Sequence, residues 1–191
     1  MRDLERLGIY CGLAAPIVFV LAMALAIIVY PNYSLYNNYL SDLGSSRDSG
    51  MFFNSGLVIS GVLGAIFGAA MTRHFKPKIG AWILAASNLS LVGLGIFHSR
   101  YAYEYLLLGF YRSVYEPGHV IFAGLFFLFS VIALAIIGHS IEKRTKKGYY
   151  VQLAAILALA FLVVQSPFTE YIAVFGVLSA GFVIALHLLE K

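Results

Sequence analysis

Six runs of about twenty apolar residues, each too poor in charge to face water along its length, leave this chain few ways to fold. A hydrocarbon layer about 30 Å thick takes roughly 20 helical residues to cross. Runs of that size occupy 7–30, 51–72, 79–98, 117–139, 149–166 and 171–189. Inside lipid every backbone polar group must be satisfied within the segment or its closed sheet, so each run is predicted to be a helix. The expectation is an all-α, polytopic integral membrane protein, a six-transmembrane-helix bundle filling one domain over 1–191. Charge supports it. Only 12% of residues are charged, against about 25% in a soluble domain, so lipid must cover most of the surface.

The N-terminus resembles a secretory signal, with Arg2 and Arg6 ahead of an apolar run and Ala22-Met23-Ala24 mimicking a cleavage motif. That run continues from Leu7 to Tyr30, well beyond a signal core of about 7–15 residues, and reads as a retained span. Cys11 is the single cysteine, which excludes an internal disulfide and a cysteine-based zinc site. Its apolar setting predicts a buried, inert thiol.

Basic residues orient the bundle. Arg2, Arg6, Arg73, Lys76, Lys78, Lys143, Arg144, Lys146, Lys147 and Lys191 fall on one side, and Arg47, Arg100 and Arg112 on the other. Ten against three in short connections predicts cytoplasmic N- and C-termini and residence in the cell (plasma) membrane. The net charge of +4 is thereby explained by topology, and nucleic acid is not an expected partner. Membrane lipids are. Oligomeric state is left open.

Ten of thirteen tyrosines gather at the predicted outer face, where an amphipathic ring suits headgroup depth. The outer connections, 31–50 and 99–116, are also the long ones, and long loops on a membrane scaffold are where function tends to sit. The second reads as a short helix or loop lying in the interface. As a helix it would pair Arg100 with Glu104 and Arg112 with Glu116 at i,i+4 spacing. Among the spans, Ser60, Gly64 and Gly68 form consecutive small-xxx-small steps, and Gly176 and Ala180 form another. These predict close helix contacts, with Ser87, Asn88 and Ser90 bonding across helices and Leu57 facing lipid.

Ionisable groups near membrane depth are expensive and point to function by default. Asp42, His98, Glu116 and His119 all fall at or within about a turn of the outer span ends. Pro117 suits the first helical position, which places Glu116 at the favourable end of the dipole and His119 one turn deeper. One reading makes Asp42, Glu116 and His119 catalytic acid/base groups. Another has His98, His119 and Asp42 holding a divalent metal with an open fourth position. A third makes Asp42 a turn cap and pairs Glu116 with Arg112. Gln165 and Glu170 flank the last turnaround. His74 and His139 sit beside basic clusters, and His187 is placed to reach headgroups. Phosphate loops, His-Glu-x-x-His and Gly-x-Ser-x-Gly are absent from the sequence.

Asn37-Asn38-Tyr39-Leu40-Ser41-Asp42-Leu43-Gly44, Leu91-Val92-Gly93-Leu94-Gly95-Ile96-Phe97 and His119-Val120-Ile121-Phe122-Ala123 resemble the signature of the archaeal and bacterial membrane proteins catalogued as domain of unknown function 998. The resemblance implies a six-helix bundle with these motifs on the outer face. It implies no activity. Family members continue after Gly-x-Phe with proline and an acid, where this chain has His98-Ser99-Arg100, so any role of that acid would fall to Glu104 or Glu116. The expected function is an outward-facing polar pocket that binds or acts on a lipid or lipid-linked substrate, with or without metal assistance. A transport or binding module for a small solute or lipid, and a structural subunit of a membrane assembly, are the alternatives.

Overall fold

A computed structural model describes residues 3–97, 102–106, 110–114, 117–142 and 145–190. Among these residues lie six α-helices: α1 (Asp3–Val29), α2 (Arg47–Met71), α3 (Ile79–Ile96), α4 (Pro117–Glu142), α5 (Lys147–Val163) and α6 (Pro167–Leu189). All except α5 are long and apolar enough to cross a membrane, and α5 reaches only 17 residues. The chain is a multi-pass membrane protein. Each helix packs on its sequence neighbours, and α6 returns to α1, so the six form a ring.

Helices α1, α2 and α6 each start four residues before the expected span, the last two for local reasons. Helix α2 begins at Arg47, because Asp48 in its first turn favours the positive end of the dipole. Helix α6 begins at Pro167, where Ser166 and Thr169 satisfy each other's backbone and side-chain groups in a capping box. Glu170, expected beside a turnaround, is thereby carried into the first turn of α6.

The second outer segment is a correction. Among its described residues, β1 (Ala102–Leu106) and β2 (Phe110–Val114) pair antiparallel rather than forming a helix. Alternating Tyr103 and Tyr105 suit a pleated strand better than a helix. The register sets Glu104 opposite Arg112, and Arg100 and Glu116, the other members of the i,i+4 pairs expected of a helix, lie outside the described residues.

Helix α2 is the packing centre. A methyl on Gly8 or Gly56 would collide with Ala70 or Ala22 across the α1–α2 contact. On the α3 side, a methyl at Gly68 would lie 2.7 Å from the Ala85 amide nitrogen, and one at Gly61 would lie 2.7 Å from the Asn88 carbonyl oxygen. At Gly64 it would overlap the Asn88 side-chain amide. Backbone contact of this kind replaces the hydrophobic drive that lipid removes. Gly176 packs more loosely, its added methyl 3.3 Å from Leu157 of α5.

Of the three polar residues of α3, one bonds across helices as expected. Ser87 donates to the Phe126 carbonyl at 2.9 Å or shares a proton with Ser130 at 2.8 Å. Asn88 and Ser90 instead donate to Leu84 and Ala86, four residues back in their own helix. Leu57 is buried at 6% exposure rather than lipid-facing, and His187 is buried at 4% rather than directed to headgroups. Cys11 is free and half-buried rather than buried.

Two apolar clusters divide the ring. One joins Ile9, Met71, Ala81, Ile141, Val151 and Leu188, which are the N-terminal ends of odd helices and the C-terminal ends of even ones. The other, around Phe19, Phe53, Leu94, Phe126 and Ala173, fills the opposite half. Successive helices therefore run antiparallel.

Substituting Gly64→Leu should cost at least about 1–3 kcal/mol, the usual range for overpacking, because the Asn88 side chain already occupies the space. Ile66→Ala, at a half-exposed position of the same helix, should cost much less. Thermal melting in detergent compares them, and equal stability of Gly64→Leu and the parent would refute the contact.

Candidate functional site

Residues 40–44 form a short 3₁₀ turn between α1 and α2, and Leu40, Asp42, Leu43 and Gly44 are all buried. A non-helical turn inside apolar surroundings exposes amides and carbonyls that nothing but protein can satisfy. Here side chains from three directions do so. Asp42 folds back and its Oδ2 accepts from the Tyr39 amide at 2.9 Å and from Asn38 Nδ2 at 3.3 Å. The Leu40 amide donates to Glu170 Oε2 at 2.5 Å, reaching across to α6. At the other end, Ser45 Oγ donates to the Asp42 carbonyl (2.6 Å), Ser49 Oγ to Leu43 (2.7 Å) and Asn54 Nδ2 to Gly44 (3.0 Å). A methyl on Gly44 would lie 2.6 Å from Asn54 Oδ1, so only glycine leaves room for that bond.

Tyrosines tie the preceding loop to the same place. Tyr33 donates to the Tyr39 carbonyl at 3.2 Å and shares a hydrogen bond with the Tyr171 hydroxyl. A phenol has one proton to give, so Tyr171 donates to Tyr33, which donates onward. Burial pushes the Tyr33 hydroxyl well above its ordinary value, so the relay keeps its protons near neutral pH. Tyr39 in turn donates to the Gln165 carbonyl at 3.2 Å. Three of the tyrosines expected in an interfacial belt thus act as struts.

Beneath the turn, enclosed by the ring, lies a cavity of about 470 Å³. Its walls are mainly aromatic and leucine side chains, including Phe19, Phe53, Leu91, Leu94, Phe126 and Phe161. The polar side chains lining it are Tyr39, Ser41, His119, Gln165 and Glu170. His119 reaches it because Pro117 opens α4 and because Phe97 and Phe122 stack with centroids 5.3 Å apart, holding the ends of α3 and α4 together. The imidazole is buried at 9% exposure.

Of the residues singled out in the sequence, His119 stands on the cavity wall. Asp42 stands in the turn, with Oδ2 committed to the Tyr39 amide and Asn38. His98 and Glu116 lie outside the described residues, as do their proposed acid/base and metal-ligating roles. Among the described residues no group of three or more His, Cys, Asp or Glu side chains gathers to hold a metal. Glu170 is central here, whereas the sequence reading sets it beside the last turnaround and gives it no role. The available signal was its place in an apolar run just after Ser166-Pro167, where the start of a helix turns its carboxylate toward the bundle.

The family described as protein of unknown function (DUF998) matches residues 13–189. The chain belongs to that family. No curated protein and no solved structure matches it. In this DUF998 chain the Ser-Asp-Leu-Gly stretch has a physical job: Asp42 closes the start of the turn, Gly44 admits Asn54, and Ser41 faces the cavity.

Removing the carboxyl group with Glu170→Ala should cost about 1–3 kcal/mol, since a buried amide loses its acceptor. It should also release the 30–46 segment to proteolysis. Tyr171→Phe, which removes one neutral bond, should cost about 1 kcal/mol. Limited proteolysis and detergent melting read both, and an unchanged cleavage rate in Glu170→Ala would show that the turn does not depend on α6.

Proposed function

We propose that the cavity binds a lipid or lipid-linked amphiphile, its chain among the phenylalanine and leucine side chains and its head against Ser41, His119, Gln165 and Glu170. The observation that carries this is the division of one cavity into a long apolar wall and a single polar end. Its volume of about 470 Å³ falls in the range of about 300–1,000 Å³ usual for small-molecule sites. Acidic side chains at the polar end, Glu170 on the wall and Asp42 in the turn above it, disfavour an anionic head. They favour one bearing hydroxyl or amine donors.

Binding is favoured over catalysis by where the carboxylates are spent. Asp42 and Glu170 each accept a backbone amide, so removing a proton from substrate would compete with holding the turn. The reading goes with one six-span domain over 1–191 in the plasma membrane, α5 included, with both termini cytoplasmic. The asymmetry of ten basic residues against three supports that orientation. So does the alternation of helix direction around the ring. Reporter fusions after Lys147 should report the cytoplasm and fusions near Glu170 the exterior. The same side for both would remove α5 as a span.

Gly124 gives a direct test of the cavity. It lines the wall, and a methyl added there meets nothing within 4 Å. Gly124→Phe should therefore fill the space without clashing, keep the melting temperature of the parent, and lower lipid retained through purification at least about tenfold, equivalent to 1.4 kcal/mol. Mass spectrometry of extracted lipid measures it. Equal retention by a well-folded Gly124→Phe protein would overturn the proposal.

A further inference from the structure

The opposite end of the bundle holds a second cavity of about 570 Å³, where the α2–α3 connection meets the last turns of α4. Its lining is basic: Arg73, His74 and Lys76 come from the connection, and His139 from α4, with Ser140 beside it. The described acid nearest this group is Glu5 of α1, 3.9 Å from both Arg73 Nη1 and His74 Nε2. Among the described side chains, that one carboxylate stands against two permanent cations and two imidazoles. The Arg73 guanidinium keeps 54% of its side chain exposed, so it is accessible to a ligand.

Backbone charge at this end points the same way. The carbonyls that close α2 are taken up, Ala69 by Thr72, Ala70 by Arg73 and Met71 by His74 and Phe75. Helix α3 then starts at Ile79, directly after the cavity-lining Pro77, and Lys78 supplies no side-chain cap. Its positive end is thus left for an anion. Gly80 brings that end against Ile136, another cavity residue, with an added methyl only 2.9 Å from Ile136 Cγ2. Ile79 and Trp82 of the same turn are more than half exposed on the outside of the ring. An indole at this level marks headgroup depth in a membrane helix.

We propose that this basic cavity is a phosphate-binding site, separate from the amphiphile cavity, that takes the phosphate of an anionic lipid headgroup or a free phosphate ion. The planar guanidinium fork of Arg73 engages two phosphate oxygens, and Lys76 adds a compact charge. Clustered basic side chains between helix ends are a known means of holding lipid phosphates.

The test uses the full chain in detergent micelles, titrated with phosphatidylglycerol, with phosphatidylcholine and with inorganic phosphate, and read by native mass spectrometry. Saturable phosphatidylglycerol binding without phosphatidylcholine binding is expected, weakened about 30-fold in the Arg73→Gln/Lys76→Gln double variant. Both side chains are exposed, so the variant should fold, which melting checks. Arg47→Gln, at the other end of the bundle, should change nothing. Displacement of the lipid by inorganic phosphate supports one shared site, and phosphate binding without lipid binding assigns the site to the free ion. Binding of neither, full binding by the double variant, or an equal loss in Arg47→Gln would overturn the proposal.

Discussion

A turn that is not a helix, buried among helices, is the constraint around which the cavity half of this protein is arranged. Helices satisfy their own backbone, but the 3₁₀ turn at Leu40–Gly44 cannot, and its buried amides and carbonyls need partners from elsewhere. Asp42 serves one amide from within, Glu170 serves another from α6, and Ser49 and Asn54 of α2 serve two carbonyls. The first and last parts of the chain are thus bridged through hydrogen bonds in a low-dielectric setting, where each is stronger and each loss more costly. The ring closes at α1 and α6 by van der Waals contact. At the rim beside the turn it closes by this carboxyl group.

The two halves of the ring then differ for reasons that lie in side-chain shape. The half around Ile137, Ile141, Ala154, Ile184 and Leu188 is built mainly from aliphatic residues with essentially no exposure, with Phe67 and Phe75 among them. The half around Phe19, Phe53, Phe126 and Phe127 is built from rings that meet edge-on or tilted, with centroids 4.7–5.8 Å apart. Flat rings held by edge contacts leave gaps that branched aliphatics fill. Gly124, opening onto that space with no neighbour for an added methyl, enlarges it. The gaps between these rings suit a binding site, since close-packed walls around the cavity cannot relax into it.

Much of this was legible in the chain. Apolar run length marked every helix within a few residues, because inside lipid no other local structure competes. Small-residue spacing marked the α2–α3 contact, because glycine at Gly64 and Gly68 is what lets Asn88 and Ala85 approach. Two things were not legible. The 102–114 segment carries helix-compatible charge spacing and strand-compatible tyrosine alternation at once, and pairing of β1 with β2 decided between them. The role of Glu170 depends on its reach to Leu40, 130 residues away, and no local pattern encodes a partner at that distance. Asp42 was legible as a turn cap, one of its three readings, and its carboxylate serves the turn's own backbone.

Charge is segregated along the bundle axis, and that segregation bears on what each end can hold. At the turn end the described cavity lining carries Glu170 and no lysine or arginine. At the other end Arg73 and Lys76 line a cavity with one carboxylate nearby, and Lys147 pairs with Glu190 at the neighbouring rim. That pair lowers the Glu190 carboxyl below its ordinary value through the Lys147 hydrogen bond, but being exposed it adds little to stability. Positive charge on one rim is what insertion into a membrane selects. Once present, it also leaves that rim suited to anions and the buried acids of the other suited to donors. A single charge gradient thus gives the two proposed sites different chemistry, without either having to be built at the expense of the other.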